Sequence, residues 1–562
     1  MYKKLLLLVF VMFCAVSEAK TFTPEQPTIS VNELKPDMNG YILTVLKGFD
    51  PVKIPVKIIS IIPQKPGTYV SEQILIKFMG NNKLSQGMSG SPVYVDGKIA
   101  GAVRSGWEQS DHTLALVTPI DAMCRIFADD MTAQNNSFPL VNASVSGVHH
   151  DSSQMLRLGR VLGLTFTQGV SVNSRGLDVK TVKLSPGDSV SVMLAWGDVE
   201  ISASGTVTAT SRDGRFLAFG HEFMKRGGTA YPSARSFVHD TVNSSAFPFK
   251  LTSPETINGI ITRDTEAGIG GKFGVYPSSI SAELVFVNLD AHTQRRYKFR
   301  VAADEFASPA LLSEIFAALC EESWGRKGQG TMSVNLRIDG RNLPNGWARR
   351  DIFYSDNDII SESFEQAKNI IGAFLTQPFT DTMPAGFTLT VEATQKPRVL
   401  MIENVKAPDS AKPGENVNIS VKLRGWRTAP IEREFTLKIP DDASEGVCEV
   451  VVRGGGSEAM GQTAVEEGYK SIDSLERMLT EFRAADANNE LILEINTDRL
   501  TDILEQALKG KNAQKHEDLL PEETEYLSET KQRRIKEGTL KIYSSDYFIA
   551  GMMKGLIHVH ND

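Results

Sequence analysis

Apolar positions in the first half of the chain come in short runs of β-forming residues. Tyr41-Ile-Leu-Thr-Val-Leu46 and Val56-Lys-Ile-Ile-Ser-Ile-Ile62 are bounded by Gly and Pro, which predicts strands. Val93-Tyr-Val-Asp96-Gly97-Lys-Ile-Ala-Gly-Ala-Val103 predicts a hairpin, because Asp-Gly supplies the left-handed dihedrals of a tight turn. Residues 126–155 are rich in Asn, Ser and Asp and read as a surface connection. Strand patterns resume with Val190-Ser-Val-Met-Leu194 and Ile201-Ser-Ala-Ser-Gly-Thr-Val-Thr208. A second Asp-Gly pair, Asp213-Gly214, then leads to Phe216-Leu-Ala-Phe219.

Helical periodicity appears later. Ser308-Pro309 reads as an N-cap and first helical residue. Leu311, Leu312, Ile315, Phe316 and Leu319 follow at helical spacing, and Gly325 lies past the end. Phe364, Ala367, Ile370, Ile371 and Phe374 repeat the pattern over 361–375. Lys396-Pro397 opens another β segment, punctuated by Pro413-Gly414, Asp441-Asp442 and Gly454-Gly-Gly456, with the texture of a small β-sandwich. The last hundred or so residues read as an α/β unit. Asp473 caps a helix carrying Leu475, Met478, Leu479 and Phe482. A second helix carries Leu500, Ile503, Leu504, Ala507 and Leu508. Residues 511–537 are highly charged and read as a solvated insertion. Thr539-Leu-Lys-Ile-Tyr543 and Gly555-Leu-Ile-His-Val559 read as strands.

The opening segment has the pattern of an export signal. Lys3 and Lys4 precede an apolar run from Leu5 to Val16, and Ser17-Glu18-Ala19 places small residues where a signal peptidase cuts. The run is too short for a bilayer span of about 20 residues. The expectation is an exported protein, periplasmic or extracellular, with no integral membrane segment after signal removal.

Composition adds exclusions. Hydrophobic residues make up 41% and charged residues 23% of the 562 positions, which excludes global disorder and a fibrous fold. The net charge of −8, with no strong basic run, argues against nucleic-acid binding. Four Cys in so long a chain do not make a disulfide scaffold, and Cys320 reads as a small apolar residue in a helix core. His149-His150 lacks companions at ligand spacing, so no metal site and no cofactor is expected.

Gly87-Met88-Ser89-Gly90-Ser91-Pro92 is the sharpest local motif. A serine hydroxyl attacks a carbonyl only when a base takes its proton and donors hold the oxyanion. Glycines on both sides let the backbone turn sharply and gather amide N–H groups. An α/β-hydrolase elbow fits poorly, because Ser91 stands at its last glycine and a hairpin follows instead of a helix. The same residues also suit a plain turn between strands. No histidine precedes Ser89, so a histidine base must come from downstream, which is permissible because triads are defined by geometry. His239 and His292 remain open on residue type. His221 differs in ending the apolar strand Phe216-Leu-Ala-Phe219-Gly220 just after a hairpin.

Together these segments resemble the SpoIVB-type serine peptidases. Gly205-Thr-Val-Thr208, the turn and Phe216-Leu-Ala-Phe-Gly-His221 resemble that family's histidine motif. Gln86-Gly-Met-Ser-Gly-Ser-Pro92, with the Asp-Gly hairpin and Gly101-Ala-Val103, resembles its nucleophile segment. Asn258-Gly-Ile-Ile-Thr-Arg-Asp264 and Ala267-Gly-Ile-Gly-Gly271 resemble its next strand and glycine turn. The resemblance implies a trypsin-like double β-barrel, with Ser89 as nucleophile, His221 as general base, and the Gly87 and Ser89 amides as oxyanion hole. Here the serine segment precedes the histidine segment, a permuted order. The family's aspartate shortly before the serine has no counterpart, since no acid lies between Glu72 and Ser89. Glu72 is the first candidate to orient the imidazole.

The expected fold is multidomain and mainly β. It comprises a signal peptide (1–19), a nucleophile-bearing barrel half (20–130), a polar connection with lead-in strands (131–184) and a histidine-bearing barrel half (185–300). An α+β segment (301–394), a β-sandwich-like domain (395–456) and a C-terminal α/β domain (457–562) follow. The expected function is an exported serine endopeptidase acting on a protein or peptide, self-cleavage included. The alternative is an inactive peptidase-like scaffold. Residues 395–562 are the expected contact for an envelope protein partner.

Overall fold

The structure, a computed structural model, describes residues 21–65, 67–128, 141–171, 177–244, 247–457, 471–496 and 525–560. The export signal, the helix expected around 500–508 and the first part of the charged insertion lie outside the described residues. The protein is mainly β. Among the described residues no helix is long and apolar enough to cross a membrane.

The first unit is a closed barrel of β1 (Asn39–Val45), β2 (Pro51–Pro63), β3 (Glu72–Phe78), β4 (Pro92–Val95), β5 (Lys98–Ser105) and β6 (Leu114–Pro119), in the order β1-β2-β3-β6-β5-β4. Period-two burial closes it. Ile74, Ile76 and Phe78 of β3 point inward with Ile42, Ile58, Val93 and Val117. Asp96 and Gly97, with φ of 51° and 74°, turn β4 into β5 as the Asp-Gly pair predicts. A short helix, α1 (Ile120–Met123), leaves the barrel.

The connecting region carries more structure than its polar composition suggests. β7 (Val141–Ser146) and β8 (Leu164–Gln168) pair in parallel around α2 (Ser153–Leu162). Ser152 caps α2 by accepting the Met155 N–H, Met155, Leu158 and Leu162 are buried, and Gly163 ends it in the left-handed region. These signals stood in the sequence; a polar average over 126–155 concealed the helix start.

β9 (Asp178–Val179) adds to β14 (Phe249–Thr265). A second ring forms from β10 (Ser189–Gly197), β11 (Glu200–Thr210), β12 (Arg215–Ala218), β13 (Gly227–Val242), β14 and β15 (Gly268–Phe273). Pairings run β10-β13-β14-β15-β12-β11, and β11 returns to β10. The two rings meet through an apolar cluster containing Ile99, Ala102, Met123 and Ile126 from the first and Ala209, Leu217 and Ala267 from the second.

The sheet continues from β10 into β17 (Thr293–Ala302), its partner β16 (Ser279–Asn288), then β20 (Ala385–Thr394), β18 (Gly330–Gly340) and β19 (Leu343–Ser355). The strands of 279–302, expected in the histidine-bearing unit, therefore pair with the following α+β unit. Helices α3 (Ala307–Trp324) and α4 (Ile359–Thr376) pack into the same core. α3 starts before the expected Ser308 cap, because Asp304 accepts the Phe306 and Ala307 N–H groups at 3.0 and 2.8 Å.

The last two expected domains are one. β21 (Val399–Lys406), β22 (Ser410–Ala411), β23 (Asn416–Gly425), β24 (Ile431–Lys438) and β25 (Gly446–Gly454) share a single core with β26 (Glu490–Asn496), β28 (Phe548–Ala550) and β29 (Met552–Val559), and β27 (Leu540–Ser544) pairs with β26. The sheets run β24-β23-β21-β28 and β22-β29-β25-β26-β27. β25 pairs on both sides with strands from beyond 489, so residues 395–456 alone leave a sheet open.

Helix α5 (Leu475–Ala484), capped by Ser474 rather than Asp473, leaves the sandwich and buries Leu475, Met478 and Leu479 in the α+β core. Trp347 Nε1 donates to the Leu479 carbonyl at 2.8 Å, and Arg349 to the Asp486 carbonyl at 2.8 Å. At about 2 kcal/mol for each buried apolar side chain, this docking is worth several kcal/mol. Ending the chain at 394 is expected to lower the melting temperature of the remaining fold by several degrees. An unchanged melting temperature on a thermal scan would show that α5 contributes nothing.

Candidate active site

Ser89 lies in the loop between β3 and β4, and His221 lies just past β12. The fold brings these segments together although 132 positions separate them (221 minus 89). The Thr206 N–H donates to the Ser89 carbonyl at 2.8 Å. Gly90, at φ +89°, rests against β11 and the residue before Gly220. A β-carbon there would stand 2.1 Å from the Thr206 carbonyl oxygen and 2.3 Å from the Phe219 nitrogen. The two threonines of Gly205-Thr-Val-Thr208 clamp the loop: Thr206 Oγ1 donates to the Gly87 carbonyl at 3.0 Å and Thr208 Oγ1 to the Gly90 carbonyl at 2.7 Å.

Each polar group of the loop backbone can be accounted for. Besides those three carbonyls, that of Gln86 accepts from Lys250 N at 3.0 Å and that of Met88 from Ser91 N at 2.9 Å. Gln86 N donates to Pro248, Met88 N to Ser85 and Gly90 N to Val103. Among the described residues, the N–H groups of Gly87 and Ser89 donate to nothing in the protein. Their peptide planes are nonetheless held. In a trans peptide C=O and N–H point in opposite directions, so fixing the Gln86 and Met88 carbonyls aims the Gly87 and Ser89 amides. Gly87 has φ +87°, a conformation that disfavours any side chain.

His221 is set by a strained turn. Phe219, fully buried, has φ +68°, and Gly220 follows at +66°, so the chain leaves β12 through two left-handed residues. The first ring anchors this turn. Thr118 Oγ1 donates to the Gly220 carbonyl at 2.6 Å. Arg104 reaches the same carbonyl and that of Glu266, and pairs with the buried Glu222 at 3.3 Å. Asp264 holds the far side, accepting the N–H groups of Phe223, Met224 and Arg226 at 2.7–3.1 Å.

The half-buried imidazole of His221 places Nδ1 2.6 Å from the Glu222 carbonyl oxygen. Burial pulls its pKa down to about 4. The Glu222 hydrogen bond opposes this shift, and the Arg104 charge adds to it. The ring is therefore neutral at pH 7. A carbonyl only accepts, so Nδ1 carries the proton and Nε2 keeps its lone pair. No hydrogen bond joins Ser89 Oγ to His221 in this structure.

Glu72 is not brought to the imidazole by any hydrogen bond or ion pair. It opens β3 opposite Pro63, and the Nδ1 position that an orienting acid would occupy is taken by the Glu222 carbonyl. Sequence reasoning passed over Arg104, Thr206, Thr208 and Asp264 as site residues. The threonines and Asp264 lay within the quoted motifs, but as strand residues, and nothing local marked Arg104.

The assembled parts are a hydroxyl, a neutral imidazole with a free lone pair on the adjoining turn, and two aimed, unclaimed amides, which are the components of acyl transfer. No family model matches the chain, and neither the curated proteins nor the solved structures give a significant match.

Proposed function

We propose that this chain is an exported serine endopeptidase of the SpoIVB-like type, periplasmic or extracellular. Its two six-stranded rings read as a trypsin-like double barrel with the serine and histidine segments in permuted order. His221 Nε2 takes the Ser89 proton as Oγ attacks the substrate carbonyl, the Gly87 and Ser89 amides stabilise the oxyanion, and His221 returns the proton to the leaving amine. Water, deprotonated by the same imidazole, then hydrolyses the acyl-enzyme. The Glu222 carbonyl does the orienting that an acid does elsewhere. A carbonyl carries no full charge to stabilise the imidazolium, so turnover is expected to be slow or to depend on a tightly fitting peptide substrate.

The observation that carries this reading is the pair of unclaimed amides in a loop whose every other backbone polar group from Gln86 to Gly90 is bonded. The test is covalent labelling by a fluorophosphonate. Wild type should label and Ser89→Ala should not. Because a protonated His221 cannot act as base, the rate should hold from about pH 6 to 5 and fall only towards about 4. The same shift bears on stability. The unfolded chain takes up this proton before the fold does, so stability drops as pH falls from about 6.5 to about 4.

A second reading, an inactive scaffold that binds an envelope protein through residues 395–562, is favoured by the imidazole's partner being a carbonyl and, among the described residues, no carboxylate. Folded wild type that fails to label would remove the first reading and leave this one.

A further inference from the structure

The loop that carries Ser89 rests on a buried ammonium group. Lys250, on β14, is 6% exposed, and its Nζ donates to Thr44 Oγ1 of β1 at 2.8 Å. From Thr44 a chain of hydroxyls runs under the loop. Ser91 Oγ donates to Thr44 Oγ1 at 2.9 Å and approaches Thr206 Oγ1 at 3.3 Å, and Thr206 Oγ1 donates to the Gly87 carbonyl at 3.0 Å. The Lys250 stem lies against Gly87 itself, 3.1–3.3 Å from where a β-carbon would stand. Its backbone N–H holds the Gln86 carbonyl, the other end of the peptide whose N–H is one of the two unclaimed amides. One residue thus touches the oxyanion peptide through its backbone, its stem and, by way of three hydroxyls, its charge.

We infer that Lys250 is a positioning residue for the active site, its ammonium and hydroxyl chain holding the Gly87 peptide in the orientation that receives the oxyanion. This rests on the proposed acyl-transfer reading and extends it. A positive charge behind the amide also favours the negative charge that develops in front of it, in surroundings that screen little.

The surroundings make the charge conditional. Burial pulls the Lys250 pKa down to about 7, and no charged neighbour contributes to the shift. Each element around it presents neutral groups: Thr44 from β1, Gly87 and Ser91 from the loop, Thr206 from β11 and, in register on β13, Thr241. The adjacent Asp240 faces outward to the exposed Lys47. Glu200, also brought to about 7 by burial, stands at the start of β11, away from Thr206.

The test is the pH profile of fluorophosphonate labelling for wild type, Lys250→Met and Thr44→Val, each checked for folding. Wild type should lose rate above about pH 7 as the ammonium deprotonates. Lys250→Met should lack this alkaline fall and be slower near pH 6 by about tenfold or more. Thr44→Val, which takes away the ammonium's hydrogen bond, should move the fall to lower pH. A folded Lys250→Met with the wild-type rate and profile overturns the inference, as does a wild type whose rate stays level from about pH 6 to 9. If Lys250→Met does not fold, the wild-type and Thr44→Val profiles decide. Folded wild type that labels at no pH removes the acyl-transfer reading and this inference with it; equal profiles in wild type and Lys250→Met remove this inference alone.

Discussion

His221→Ala is expected to slow acylation of Ser89 by a factor on the order of 10⁴ or more at neutral pH, with the fold intact. The fold should survive because, among the described residues, the imidazole's hydrogen bond runs only to the carbonyl of the next residue. The turn around it is held by Thr118, Arg104 and Asp264, none of which depends on the ring. Glu72→Gln is the matched comparison. Because the Glu222 carbonyl occupies Nδ1, this substitution should leave the labelling rate within about twofold, far from the roughly 10⁴ expected for loss of an orienting acid. A large loss in Glu72→Gln would mean that the imidazole turns towards Glu72 during the reaction. A His221→Ala protein that labels like wild type would assign the base elsewhere.

Gly90→Val is expected to disrupt both the loop and the contact between the two rings. Any β-carbon at Gly90 meets backbone rather than a movable side chain, at 2.1 Å from the Thr206 oxygen and 2.3 Å from the Phe219 nitrogen, and φ of +89° is strained for valine in any case. To admit it, the loop must leave β11. That breaks the Thr206 and Thr208 clamps and the seat of the Ser89 carbonyl at once. Several hydrogen bonds at about 1 kcal/mol each, with the steric strain, come to roughly 4 kcal/mol. The variant should therefore melt well below wild type and fail to label even where it remains folded. Wild-type labelling and melting by Gly90→Val would show that the loop does not need its close seat on the second ring.

Local pattern alone marks the strands, turns and caps. Short β-forming runs marked several strands around the site, and Asp96-Gly97 marked a hairpin, because a strand's run of β-formers and a turn's dihedrals are set by residues a few positions apart. The candidate serine and histidine were legible for the same reason, each sitting in a short stretch of glycine and apolar residues that shapes it. The outline of α2 was equally local, with its Ser152 cap and Gly163 stop, and was lost only by averaging over polar neighbours.

Tertiary structure alone decided the rest. Thr206 and Thr208 become clamps, and Lys250 a seat, only when a loop more than a hundred residues away packs against them; as strand residues the threonines look like ordinary β-formers. The group that orients His221 is a backbone carbonyl, present at every residue, so no side-chain search finds it. The same physics joined the C-terminal segments. A β-strand's hydrogen-bonding edges carry no mark of which partner will fill them, so the sequence divided at the glycine run 454–456 what β25 and its two neighbours make into one sandwich.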